Sequence, residues 1–160
     1  MARSLQSVAV RFGTIAFLAA VLGFGIFLFN RANRPDEAHR PELGTAVETW
    51  AAQAHRGDRL TLSDIASFAW DRVVILPPYA SNRMAADLGV NGWDVESSPT
   101  AFSEVGSLVG FERGGNLVAW TVVGRRSDLP PAQTGSPIAL DRPNAVFVWS
   151  GMKFDVAPTP

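Results

Sequence analysis

The sequence predicts an α+β domain: an antiparallel sheet of roughly four to six strands with one or two helices on one face, preceded by a single N-terminal transmembrane helix. Three observations predict it. Residues 12–30, FGTIAFLAAVLGFGIFLFN, carry no charge. The run Ala69-Trp70-Asp71-Arg72-Val73-Val74-Ile75-Leu76 is apolar apart from Asp71 and Arg72 and is closed by Pro77 and Pro78. Two strand pairs meet at glycine turns, one at Gly114-Gly115 and one at Ser150-Gly151.

The span comes first along the chain. Nineteen residues from Phe12 to Asn30 at about 1.5 Å per residue make roughly 28 Å of helix, close to the ~30 Å hydrocarbon core of a bilayer. A core helix of a soluble protein is seldom this long and apolar on every side. The run also exceeds the h-region of a signal peptide, and no convincing A-x-A site follows it, so an uncleaved anchor is expected, with a cleaved signal peptide as the alternative. Arg3, Arg11 and the amino terminus balance Arg31, Arg34 and Arg40, so the positive-inside rule does not set the orientation. A tail of residues 1–11 before a single span favours export, which places the domain outside the cytoplasm. Ala16 with Ala20, and Ala19 with Gly23, have the small-xxx-small spacing through which two such helices can dimerise.

Residues 31–44, RANRPDEAHRPELG, have no apolar period and carry Pro35 and Pro41, the composition of a stiff linker. From Thr45 the pattern changes. Val47, Trp50, Ala51 and Ala54 fall at i, i+3, i+4 and i+7, which predicts an amphipathic helix ending near Arg56 with Gly57 as its cap. The domain is therefore expected over residues 45–157, with 158–160 as a tail.

Leu60 to Ile65 is of uncertain type. Trp70 to Leu76 is short, β-branched and apolar on both sides, which suits a buried central strand, and Pro77 and Pro78 cannot donate to a ladder. Ser81 is then placed to cap a short helix burying Met84, Ala85 and Leu88 and ending at Gly89. Val90 to Phe102 lacks a period and reads as loop. A type I′ turn at Gly114-Gly115 would set Arg113 opposite Asn116, Phe111 opposite Val118 and Val109 opposite Trp120. That register gathers Val109, Phe111, Val118, Trp120 and Val122 on one face and leaves Glu112 and Thr121 on the other. Gly124 to Asn144 is a long excursion with a short strand expected around Ile138 to Leu140. In the last hairpin Phe147 would face Phe154, and Trp149 would face Met152.

Charge and composition exclude several function classes. In a chain of 160 residues with 47% hydrophobic and 18% charged residues, a folded core is expected. Four of the 14 basic residues precede the first acid, Asp36, so residues 35–160 set ten basic residues against all 15 acids, a net charge of -5. An acidic body does not attract phosphate backbones, which argues against nucleic acid as a partner. The absence of cysteine rules out disulfides, thiolate zinc sites and a lipidated N-terminal cysteine.

Trp70-Asp71, then Pro78-Tyr79, then a helix ending Leu88-Gly89 form a pattern that resembles a group of small bacterial envelope proteins of unknown function, many of them lipoproteins. The resemblance covers residues 60–90. It implies an extracytoplasmic domain and no particular activity; lacking the lipoprotein cysteine, this chain would use residues 12–30 as its anchor.

No residue pattern here points to a catalytic residue, a metal site or a cofactor. His39 in the linker and His55 near the helix end have no partner at ligand or nucleophile spacing. Asp64 and Asp71 are the pair available for acid–base chemistry, though a local pairing of Asp71 with Arg72 or another arginine explains it more simply. Trp50, Trp70, Trp120 and Trp149 occupy inward positions. Trp93 sits in a polar, Gly-flanked loop and Tyr79 just beyond a strand end, so Pro78, Tyr79 and Trp93 are the candidate partner-binding residues. The expected function is a membrane-anchored interaction or accessory domain of the bacterial cell envelope, single-pass, with an envelope protein as partner. A carboxylate-using hydrolase and an inhibitor or immunity-like protein that caps a partner are the alternatives.

Overall fold

The computed structural model describes residues 38–98, 106–127 and 129–158; the predicted span over 12–30 lies outside them. Among the described residues no helix is long and apolar enough to cross a membrane. The chain forms α1 (Pro41–Gln53), β1 (Arg59–Thr61), α2 (Leu62–Ile65), β2 (Arg72–Leu76), α3 (Asn82–Asp87), β3 (Gly106–Arg113) and β4 (Asn116–Gly124). After a 3-10 turn at Arg125–Ser127 come α4 (Pro130–Thr134), β5 (Ile138–Asp141), a second 3-10 turn at Arg142–Asn144, β6 (Val146–Trp149) and β7 (Phe154–Val156).

The α+β class holds, but the strands form two antiparallel sheets, β4-β3-β2-β5 and β1-β6-β7, where one was expected. β2 is central, antiparallel to β3 and β5 on either side. Val73, Val74, Ile75 and Leu76 are fully buried, each stabilising the fold by about 1.5–3 kcal/mol of removed apolar surface. Alternate side chains point to opposite faces of the sheet. Val73 and Ile75 join Val109, Phe111, Ala119 and Val123 in a core with α1 and with Leu60, Phe147, Trp149 and Phe154 of the smaller sheet. Val74 and Leu76 join Leu108 and Trp120 in a second core under Ala85, Val90, Trp93 and Val95. A sheet covered on both faces is why the β2 sequence is apolar without alternation.

Both boundaries of the first helix differ from expectation. Helix α1 begins at Pro41 inside the supposed linker, because a proline at the first helical position has its φ pre-set and gives up an N–H that would have no partner there. It ends at Gln53, with Ala54 extended, so Gly57 is not its cap. Leu60 to Ile65 resolves into β1 and one turn of helix. Ser81 does cap α3, its hydroxyl accepting the Met84 amide at 3.4 Å, and Ile138–Asp141 is the strand expected there.

The β3–β4 register starts as predicted, with Arg113 opposite Asn116, and then shifts between Phe111 and Glu112. Glu112 faces Leu117 but Phe111 faces Ala119, so Val118 is one extra residue on β4, a bulge. Beyond it every predicted pair is displaced: Val109 faces Thr121 and Gly110 faces Trp120. Trp120 therefore belongs to the second core, and Glu112 is buried instead of facing solvent. The last hairpin also has a longer connection than a two-residue turn. Trp149 faces Phe154, Ser150 closes the loop on Lys153, and Met152 is exposed at the tip.

Candidate functional site

The chain leaves β2 through a corner. Pro77 is buried, Pro78 is half-buried, and Ala80 is buried again. Tyr79 between them is 57% exposed at φ 61°, the single non-glycine residue with positive φ among those described. Pro78 has a locked φ, Ala80 is held in the core, and the Ser81 cap starts α3 two residues later. The backbone is thereby over-determined on both sides of Tyr79, which is how a non-glycine residue stays in the left-handed region.

The start of α3 is tied to the loop over residues 90–98. The Asn82 amide donates to Glu96 Oε1 at 3.2 Å and its side-chain nitrogen to Asp94 Oδ1 at 3.3 Å. In return the Glu96 amide donates to Asn82 Oδ1 at 3.1 Å. These bonds brace the corner from the side of α3.

Trp93 is not the exposed aromatic that its polar loop suggested. It is 5% exposed and its six-membered ring lies against Gly110 of β3, where an added Cβ would sit 2.4 Å from the ring. The glycine leaves a notch in the sheet that the indole fills. Its Nε1 is buried without a hydrogen-bond partner. Of the three nominated residues, Tyr79 is presented to solvent, Pro78 supports it, and Trp93 is part of the second core.

The histidines and aspartates also find places that local sequence does not show. His39 stacks on Trp120 with ring centroids 4.1 Å apart and planes 22° apart. His55 lies beyond the end of α1, exposed, with Nδ1 3.7 Å from Asp58. Asp64 is exposed on α2. Asp71 does not pair with Arg72; its carboxylate accepts the Gly114 amide at 3.0 Å. Arg72 instead reaches Glu112 through Nε at 2.8 Å and through Nη2, and also donates to the Leu88 carbonyl at 2.7 Å. Glu112 Oε1 accepts the Gly115 amide at 2.8 Å. The two turn glycines are thus each held by a carboxylate. Charge-assisted bonds of this kind fix the tip of the hairpin.

Two clefts flank the second half of α1, and no nominated residue lines either. One of about 360 Å³ is lined by Trp50, Gln53, Ala54, Asp58 and Arg59; the other, of about 380 Å³, by Glu48, Ala51, Ala52, Arg126, Ser127 and Trp149. Trp50 and Trp149 were legible only as inward-facing aromatics. That they border clefts depends on how α1 lies on the smaller sheet. Among the described residues no group of three His, Asp or Glu side chains is placed to hold a metal ion.

Compared with known proteins, the chain matches no family model, no curated protein and no solved structure.

Proposed function

We propose that this protein is a membrane-anchored interaction domain of the bacterial cell envelope, held by residues 12–30 and seating a protein partner at Pro78–Tyr79. The observation that carries the reading is Tyr79: a large aromatic ring at 57% exposure on a backbone fixed at φ 61°. A tyrosine has few side-chain torsions to lose, so ordering it at an interface costs little, and aromatic anchors dominate measured interfaces. Strain kept at an exposed residue that contributes little to the core is more economically explained by recognition than by folding. The membrane location rests on the uncharged run and the envelope setting on the resemblance over residues 60–90.

The test is capture from membranes of the source organism with the full chain, wild type against Tyr79→Ala. Loss of the captured protein with an unchanged melting temperature is the expected result. A Tyr79→Ala protein that captures the same partner equally well would remove the assignment.

A further inference from the structure

We propose that the outer edge of β5 docks a second copy of this chain, the two β5 strands pairing antiparallel about a two-fold axis at Ala139. β5 is an edge of the four-stranded sheet and is bonded on one side, to β2. The Arg142 amide donates to the Asp71 carbonyl at 2.8 Å. Bonded and unbonded positions alternate along an antiparallel ladder, so Leu140 and Ile138 also bond β2, while Ala139 and Asp141 turn their amides away from it. In a trans peptide plane the carbonyl points opposite to the amide that follows it, so each amide directed at β2 sends the preceding carbonyl outward. The open edge therefore presents the Pro137 carbonyl, the N–H and carbonyl of Ala139, and the Asp141 N–H. Among the described residues nothing bonds these groups. The Asp141 carbonyl is already used: Asp141 caps the 3-10 turn at Arg142–Asn144, and its carbonyl accepts the Asn144 amide.

That pattern is its own complement. With Ala139 facing Ala139 of the second copy, the two alanines exchange a pair of bonds, and each Asp141 N–H reaches the Pro137 carbonyl of the other chain. Every open group is then used. The one remaining position sets the N–H that Pro137 lacks against the Asp141 carbonyl that Asn144 already holds, so no polar group is orphaned there. A register centred on Leu140 would leave both Pro137 carbonyls unpaired and aim the Ala139 amides at the occupied Asp141 carbonyls. Pairing at Ala139 is isologous and closes on itself, joining two four-stranded sheets into one. The side chains agree with it. Ile138 of each copy would lie opposite Leu140 of the other, and both are half-buried against the first core, with apolar surface left to cover. Asp141 would face Pro137 and Arg142 would face Ser136, so no like charges meet. Edge strands that stay unpaired are blunted by lysines, bulges or an overlying helix. The other edge of this sheet has such a cover, since α1 runs so close to β4 that a Cβ on Gly44 would meet the Val122 carbonyl at 2.1 Å. β5 carries no lysine and no bulge, and its residues are half-buried or exposed. This inference is independent of the Tyr79 reading.

The chain has no cysteine, so a single introduced one reports contact between copies. The experiment uses the full chain in detergent micelles, with disulfide cross-linking under mild oxidation and backbone amide exchange as readouts. Ala139→Cys sits on the axis, where paired Cα atoms come about 5.5 Å apart, within disulfide reach, and should cross-link readily. Ser136→Cys, which lies opposite Arg142 and not its own copy, should cross-link far more slowly. Asp141→Pro suits the φ of -64° found at this residue and removes an N–H that the folded chain does not use. At low concentration it should melt with the wild type, yet on the Ala139→Cys background it should slow cross-linking about tenfold by deleting half of the bonds between copies. Asp141→Asn keeps the N–H and should change neither property. In the unmodified protein the Ala139 and Asp141 amides should gain protection from exchange as concentration rises. Equal cross-linking at positions 139 and 136 would overturn the pairing, as would a rate untouched by Asp141→Pro. Ala139 and Asp141 amides that exchange alike at every concentration would overturn it too, and a dimer joined only through residues 12–30 would give that result.

Discussion

Arg72 and Glu112 are opposite each other across β2 and β3, and the same carboxylate that binds the guanidinium also holds the Gly115 amide. The Arg72 side chain is 29% exposed and that of Glu112 is 8%, so the pair is largely withdrawn from water. It joins the central strand, the β3–β4 turn and the Leu88 carbonyl at the end of α3 in one polar network.

Breaking a buried pair from one side leaves an uncompensated charge, at a cost of about 3–5 kcal/mol. Arg72→Met and Glu112→Leu should each lower stability by that order in urea unfolding. The double substitution should cost clearly less than the sum, because no charge is then left buried. Additive losses would show that the two side chains do not act as a unit.

Gly110 and Trp93 give a second, purely steric prediction. Gly110→Ala places a methyl inside the indole contact and should destabilise by about 1–3 kcal/mol, as over-packing does. Trp93→Phe on that background, with a smaller ring and no orphaned N–H, should recover part of the loss. A melting curve for each variant decides the matter, and an unaffected Gly110→Ala protein would refute the notch.

Tyr79 separates strain from recognition. Tyr79→Gly removes the same ring as Tyr79→Ala but relieves the left-handed backbone, a difference of about 1 kcal/mol set against glycine's larger unfolded-state entropy. The glycine variant should melt at or above the alanine variant, and both should lose partner capture. Capture retained by either one would separate the ring from binding.

The uncharged run over residues 12–30 predicts fractionation. Full-length protein should sediment with membranes and resist carbonate extraction. Mature protein recovered in the soluble fraction with an N-terminus beyond Asn30 would identify the run as a cleaved signal instead.

What the sequence determined by itself is what short-range physics determines. The prolines that end β2, the glycine pair that turns β3 into β4, the Ser81 cap and the strand at Ile138–Asp141 are each set by backbone preferences of a few adjacent residues, and each stands where it was expected. The hairpin register was legible only as far as the turn. Whether Val118 bulges depends on which face of β4 has a core to enter, and both do, so an apolar strand offered no polar side from which to count. Glu112 looked like a surface residue because its ionic partner, Arg72, is separated from it by 40 residues and meets it only when β2 lies beside β3. Trp93 looked exposed because the notch it fills belongs to a glycine 17 positions away. His39 looked like linker because the indole under it comes from Trp120. These placements were decided by the tertiary structure: burial is a property of what two distant segments enclose, and neither segment carries it alone.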